Sequence, residues 1–271
     1  SNIANYKNST ANARKFFLTR AGATNFTTAM PTAPTKESFS KVLNLSGPAE
    51  LTKQAYAISS GKDINFTGKK INGATIFVDG KCTMQYDETT QMSNTTIVLL
   101  SSATLKYNGT GDMIPSGCTV YCTNPRNVFS AKNDIKINGN FYADFRDKKS
   151  DGSKDLITGL GAIKETTPAE KDKSITPTQN ITFGSGANVF IDGSIRAINL
   201  QVEDGANVYA KENLFNNDNN GNATINGNLW IGGFIKTRTL DVNGYLKAVE
   251  AVKVTNAFNV HDGANVEASY I

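Results

Sequence analysis

One pattern recurs five times between residues 181 and 271 and leaves few folds open: an apolar–x–apolar run, a small polar residue, a Gly, then a second alternating run. The copies occupy 181–191, 200–210, 225–231, 240–248 and 258–268. Aligning Phe190, Tyr209, Trp230, Lys247 and Glu267 gives steps of 19, 21, 17 and 20 residues, a mean of 19.25. Within each copy apolar and polar residues alternate at period two, the pattern of a strand and not of a helix. A unit this short, with two or three strands, cannot bury its apolar face alone and must stack on its neighbours. The fold predicted is all-β: a single-stranded parallel β-helix, a solenoid with about 19 residues per coil in its C-terminal half. Roughly nine or ten rungs at ~4.8 Å make it about 45 Å long, and right-handed, as parallel crossovers are.

A turn between flat faces needs a residue at positive φ, which Gly accepts and Asn or Asp tolerate. The corners are therefore predicted to stack too, in a column of Ser185, Asp204, Asn226, Asn243 and Asp262. Its two carboxylates would lie three rungs apart, about 14 Å from the strand spacing, where salt screens their repulsion. The amides between them can pass hydrogen bonds along the stack as an Asn ladder.

Composition agrees with a chain of many corners: 23 Gly against 7 Pro, with 39% hydrophobic residues to fill a core. No apolar stretch reaches membrane-spanning length; 95–100 is strand-sized. The net charge of +4 comes from scattered Lys and Arg matched by acids, without the basic stripe that phosphate contacts need, so no nucleic-acid partner is expected. Cys118, Val120 and Cys122 fall on one face of a strand, which reads as buried small hydrophobes. A Cys82 disulfide to either of the other two is the alternative.

Taken in order, residues 1–49 lack the repeat and are predicted to cap and cross the solenoid, with a Thr/Ala/Pro-rich extended segment at 27–34. Either 14–18 or 39–45 is expected to cover the first rung. Residues 50–271 form the β-helix, irregular at first and regular after the Asn138-Gly139 corner. A charged insertion at 144–179 interrupts it as an edge loop, inside which Leu156, Leu160 and Ile163 could line a short helix. The Asn-rich 213–222 stretch is a smaller bulge. The pattern still runs at Ile271, so a longer native chain is expected, with an open C-terminal rung through which copies could associate end to end.

The Asp/Asn-Gly corners and the Gly-Ala-Asn-Val copies resemble adhesin-like (LruC-type) secreted β-helix proteins of gut bacteria, loosely and over 50–271. The resemblance implies an extracellular or outer-surface location and a structural or binding role, and it carries no functional residues.

Many parallel β-helices act on polysaccharides, so signs of catalysis matter. The Asn-Thr-Asp, Gly-Asp-Asp, Gly-His-Gly and Arg-Ile-Lys signatures of pectin-degrading hydrolases do not occur. The only His, His261, sits beside a corner and reads as a solvated turn residue; with three Cys it makes no zinc set, and the sequence calls for no metal or cofactor. Asp144 and Asp147 are the nearest to a paired carboxylate site, with a solvated loop as the simpler reading. The solitary Thr237-Arg238-Thr239 is not the array that ice binding would need.

What remains is an outward column. With Val189, Val208, Leu229, Leu246 and Val266 inward, Phe190, Tyr209 and Trp230 face out on successive rungs, followed by Lys247 and Glu267. Such a strip meets either a segment of its own chain or a ligand, a glycan or a surface protein. The function expected is a non-catalytic, surface-displayed or secreted adhesion module; the alternative is a carbohydrate-active β-helix.

Overall fold

A computed structural model describes residues 4–6, 16–18, 28–36, 41–42, 50–51, 55–58, 62–145, 159–160, 163–164, 176–177, 179–216 and 221–270. Its elements are all strands, and they wind into a parallel β-solenoid with three faces.

Face B is the most continuous. Ala55–Ile58, Thr75–Val78, Thr96–Leu99, Thr119–Cys122, Asn140–Asp144, Asn188–Asp192, Asn207–Ala210, Asn228–Ile231, 245–248 and Asn265–Tyr270 pair in parallel, one rung to the next. Face A precedes it in each coil and includes Ile135–Ile137, Ile181–Phe183, Leu200–Val202, Asn222–Ile225, 239–242 and 257–260. Face C follows it, through Asp63–Asn65, Thr83–Tyr86, Thr104–Tyr107 and Val128–Ala131, then Ser194–Ala197, Leu214–Asn216, 235–237 and 252–254. Near the end, Ile235–Val242 and Tyr245–Val260 bend round corners without a break, with register shifts at 237/239 and 248/251. A bulge that leaves one residue unpaired bends a strand in this way. Just before the first shift Thr237 points inward by alternation with Ile235, fully buried, and Asn216 donates to its hydroxyl at 3.0 Å.

The interior is a stack of apolar columns. On face B they include Ile76, Ile97, Val120, Phe141, Val189, Val208, Leu229, Leu246 and Val266, all buried in one cluster. Cys82, Cys118 and Cys122 belong to it as free thiols, so the small-hydrophobe reading holds and the disulfide alternative falls. Burial pushes the Cys122 thiol far above its ordinary pKa. Tyr56, Tyr86 and Tyr107 also lie inside: the Tyr86 and Tyr107 rings are 4.9 Å apart, and the Tyr86 hydroxyl donates to the Met113 carbonyl.

The corners come in two kinds, which corrects the single column expected. Asn226-Gly227 and Asn243-Gly244 are two-residue corners, whereas 184–187, 203–206 and 261–264 hold four. Backbone bonds from Glu203 to Phe183, Asn226 to Val202, Asn243 to Ile225 and His261 to Val242 put Gly184, Glu203, Asn226, Asn243 and His261 in register. Ser185, Asp204 and Asp262 stand one residue further out, exposed in the longer turns. Asp204 and Asp262 therefore leave the column and Glu203 enters it, while the two amides stay: Asn243 Nδ2 donates to Asn226 Oδ1 at 2.7 Å. The glycines differ as well. Gly263 has φ +83° with open space where a Cβ would stand, so its turn needs the left-handed conformation. At Gly227 a Cβ would run into the Glu203 carbonyl of the rung below, so that glycine is there for close approach.

The ends hold the largest surprise. Phe16–Leu18 does form a covering strand, but on the last rung and not the first: it pairs antiparallel with Ala268, Glu267 and Val266. Ala4–Tyr6 pairs antiparallel with 258–260 beside it. The C-terminal edge expected to be open is thus occupied along 266–268. The other stretch expected there, 39–45, does meet the first rung: Lys41–Val42 pairs in parallel with Tyr56 and Ala57. An antiparallel strand landing more than 200 residues away leaves no local pattern to read.

Within 144–179, Gly159–Leu160 and Ile163–Lys164 are strands, which overturns the short helix; Leu156 lies outside the described residues. Gly159–Leu160 pairs in parallel with Ser194 and Ile195, so part of the insertion adds to face C and is no edge loop.

Candidate functional site

Strand alternation sends every second face-B residue outward. Phe190, Tyr209 and Trp230 stand there on successive rungs, continued by Lys247 and Glu267, as their spacing predicted. The steps vary from 17 to 21 residues, yet the register survives because the corners absorb the difference.

The column runs further than the sequence suggested. Tyr142 pairs with Phe190, Tyr121 with Tyr142, and Val98 and Phe77 continue it. The signal was legible, since Asn138-Gly139-Asn140-Phe141-Tyr142 matches Asn226-Gly227-Asn228-Leu229-Trp230 in role, but the insertion after 143 hid the continuity.

The rings contact one another along the stack. Centroids of Tyr121 and Tyr142 are 5.3 Å apart; Phe190 and Tyr209 stack at 5.5 Å and 9°; Tyr209 meets Trp230 edge-on at 5.2 Å. Lys247 Nζ then sits 4.7 Å from the centre of the Trp230 ring and 3.6 Å from Glu267 Oε1. Phe190 and Tyr209 turn faces to each other, and Lys247 lies over one face of Trp230, whose plane stands across that of Tyr209, so a partner would meet the open parts of these rings and the charged pair. Beside the rings runs a second amide ladder, which the sequence reading missed: Asn228 Nδ2 donates to Asn207 Oδ1 at 2.8 Å, and Asn140 Nδ2 to Thr119 Oγ1 at 3.1 Å.

Exposure changes along the column. Phe77 and Val98 point away from the interior cluster and are still buried, as are Tyr142 at 8% and Phe190 at 4%. Burial, then the neighbouring Tyr121, pushes the Tyr142 phenol pKa up against a hydrogen bond from Asn188. Tyr209 and Trp230 are half-buried, and the side chains of Lys247 and Glu267 are 26% and 37% exposed. The column is therefore closed at Tyr142 and Phe190 and open at half-buried Tyr121 on one side and from Tyr209 to Glu267 on the other. At the other end Lys36, closing the 28–36 segment, is ion-paired at 3.6 Å to Asp79, on the rung that carries Phe77.

The remaining candidates are scattered. His261 is half-buried, with Nε2 3.2 Å from Asp241 Oδ1, an atom that also accepts from Asn259 at 2.9 Å; this corrects the solvated-turn reading. Asp144 pairs in register with Asp192, and Asp147 lies outside the described residues. On face C, Arg196 lies 5.4 Å from the Phe215 ring and Lys253 5.7 Å from that of Phe234, a cation–π cluster with no sequence signal. Among the described residues no group of three or more His, Cys, Asp or Glu could hold a metal ion, and no helix is long and apolar enough to cross a membrane. In comparisons with known proteins, no family model, no curated protein and no solved structure matches the chain.

Proposed function

We propose that the protein is a non-catalytic adhesion or display module, secreted or held at the outer cell surface. The solenoid serves as a rigid spacer, and the Tyr209–Trp230–Lys247–Glu267 end of face B is the contact edge for a glycan or a surface protein. One observation carries this reading: the outward column grades from buried Phe190 through half-buried Tyr209 and Trp230 to partly exposed Lys247 and Glu267, leaving aromatic rings next to a charged pair. Aromatic bodies with polar groups beside them suit a surface that binds without reacting. The likeness of the corner motifs to adhesin-like secreted proteins supports the location.

Trp230 is the only Trp in the chain, so its emission reports on this edge alone. Screening a glycan array and a panel of surface proteins, with Trp230 emission and reducing-sugar release followed together, tests the reading. Saturable binding that shifts the emission without sugar release is the expected result. Turnover of any polysaccharide, or no binding across both panels, overturns it.

A further inference from the structure

We propose that the N-terminal strands are an exchangeable cap, so that a second copy of this chain can close the C-terminal rung and join molecules head to tail. Ala4–Tyr6 and Phe16–Leu18 lie antiparallel on 258–260 and 266–268, against the parallel course of faces A and B. They end the stack and do not continue it. Such a contact is made by main-chain hydrogen bonds to an edge, and these do not depend on which molecule supplies the strand.

The cap is tethered from the wrong end for a tight closure. The next described strand after Phe16–Leu18, past the crossing segment, is Lys41–Val42, which pairs with Tyr56 and Ala57 on the first rung. Counting the face-B rungs between them, eleven spacings of ~4.8 Å put the cap about 53 Å from Lys41. The 23 steps from Leu18 to Lys41 reach about 80 Å when extended, long enough for the chain to close on itself. Both anchor points are on face B, and Lys36 holds the crossing segment to Asp79 at 3.6 Å. In a pair of molecules stacked end to end, the first rung of one abuts the last rung of the other, and the same tether has only a few rungs to cross. Closure within one molecule is favoured by effective concentration, closure between two by the shorter path. Because cap and edge sit at opposite ends, exchange is heterologous and gives open chains, not closed dimers.

Deleting residues 22–33 from the full chain tests this. The eleven steps left between Leu18 and Lys41 reach about 40 Å, too short for self-closure but ample between stacked molecules. The expected result in sedimentation is a mass that rises with concentration to at least twice the monomer's, while the undeleted chain stays monomeric. Adding Phe17→Pro and Leu18→Pro to the deletion should restore the monomer, since successive residues of a strand alternate in which N–H meets the partner and Pro has none. A deletion variant that stays monomeric at every concentration, or that associates equally with the two prolines present, overturns the proposal.

Discussion

Lys247 lies over the face of Trp230, its ammonium 4.7 Å from the ring centre, one rung along the outward column of face B. The pair joins an aromatic stack to an ion pair with Glu267 at 3.6 Å. A cation over an indole at a partly exposed site contributes about 0.5–1 kcal/mol. Lys247→Ala should therefore lower unfolding free energy in urea by about that amount and shift Trp230 emission. In a Trp230→Leu background the same change should cost less. Equal losses in the two backgrounds would show that the ring and the cation are not coupled.

Val208 is fully buried and Asn207 half-buried beside it. Val208→Asp would force a carboxylate between the apolar rungs of Val189 and Leu229, where an unpaired charge costs several kcal/mol, more than about 4. Asn207→Ala removes one ladder acceptor, the Oδ1 that Asn228 reaches at 2.8 Å, for about 1 kcal/mol. Thermal melts should show a collapse for the first and a small shift for the second. The Val208→Asp defect should shrink as pH falls and the new carboxyl becomes neutral. Melting of both variants at the wild-type temperature would refute the facing of this strand.

The two kinds of corner glycine should respond differently to substitution. Gly263→Asn keeps a residue that tolerates positive φ and meets open space, so a loss below about 1 kcal/mol is expected. Gly227→Ala drives a methyl into the Glu203 and Ala206 carbonyls of the neighbouring rung and should cost about 2–3 kcal/mol. Chemical denaturation of the two variants compares them directly, and equal losses would mean that both corners use glycine for the same reason.

Asp79 ties the crossing segment to the solenoid. Partial burial opposes its ionisation, but the Gly80 N–H at 2.7 Å, the Ser101 hydroxyl at 2.9 Å and Lys36 outweigh it, so its pKa lies below the ordinary value. A depressed carboxylate pKa adds stability above the unfolded value, about 3.9, and loses it as pH falls through the folded one. Asp79→Asn should melt below wild type at neutral pH, and the two curves should converge under acid conditions. A gap that stays constant down to pH 2 would remove Asp79 as the titrating group.

How much of this was legible beforehand differs from element to element. The equivalence of Phe190, Tyr209, Trp230, Lys247 and Glu267 could be read from the chain across unequal steps. Alternation and glycine-bearing corners are local properties, and a strand's side-chain period of two leaves no choice of face once the inward residues are named. The burial of Cys118 and Cys122 followed from the same rule, whereas their free state was decided by the structure. Only the tertiary structure decided the rest. Whether Asp204 or Glu203 stacks on Asn226 depends on which backbone N–H closes on Val202, and two-residue and four-residue corners look alike as sequence. The direction in which the rings face depends on packing between rungs. Where Phe16–Leu18 lands depends on which edge is left unpaired once all the other strands are stacked, because main-chain hydrogen bonding carries almost no sequence preference of its own.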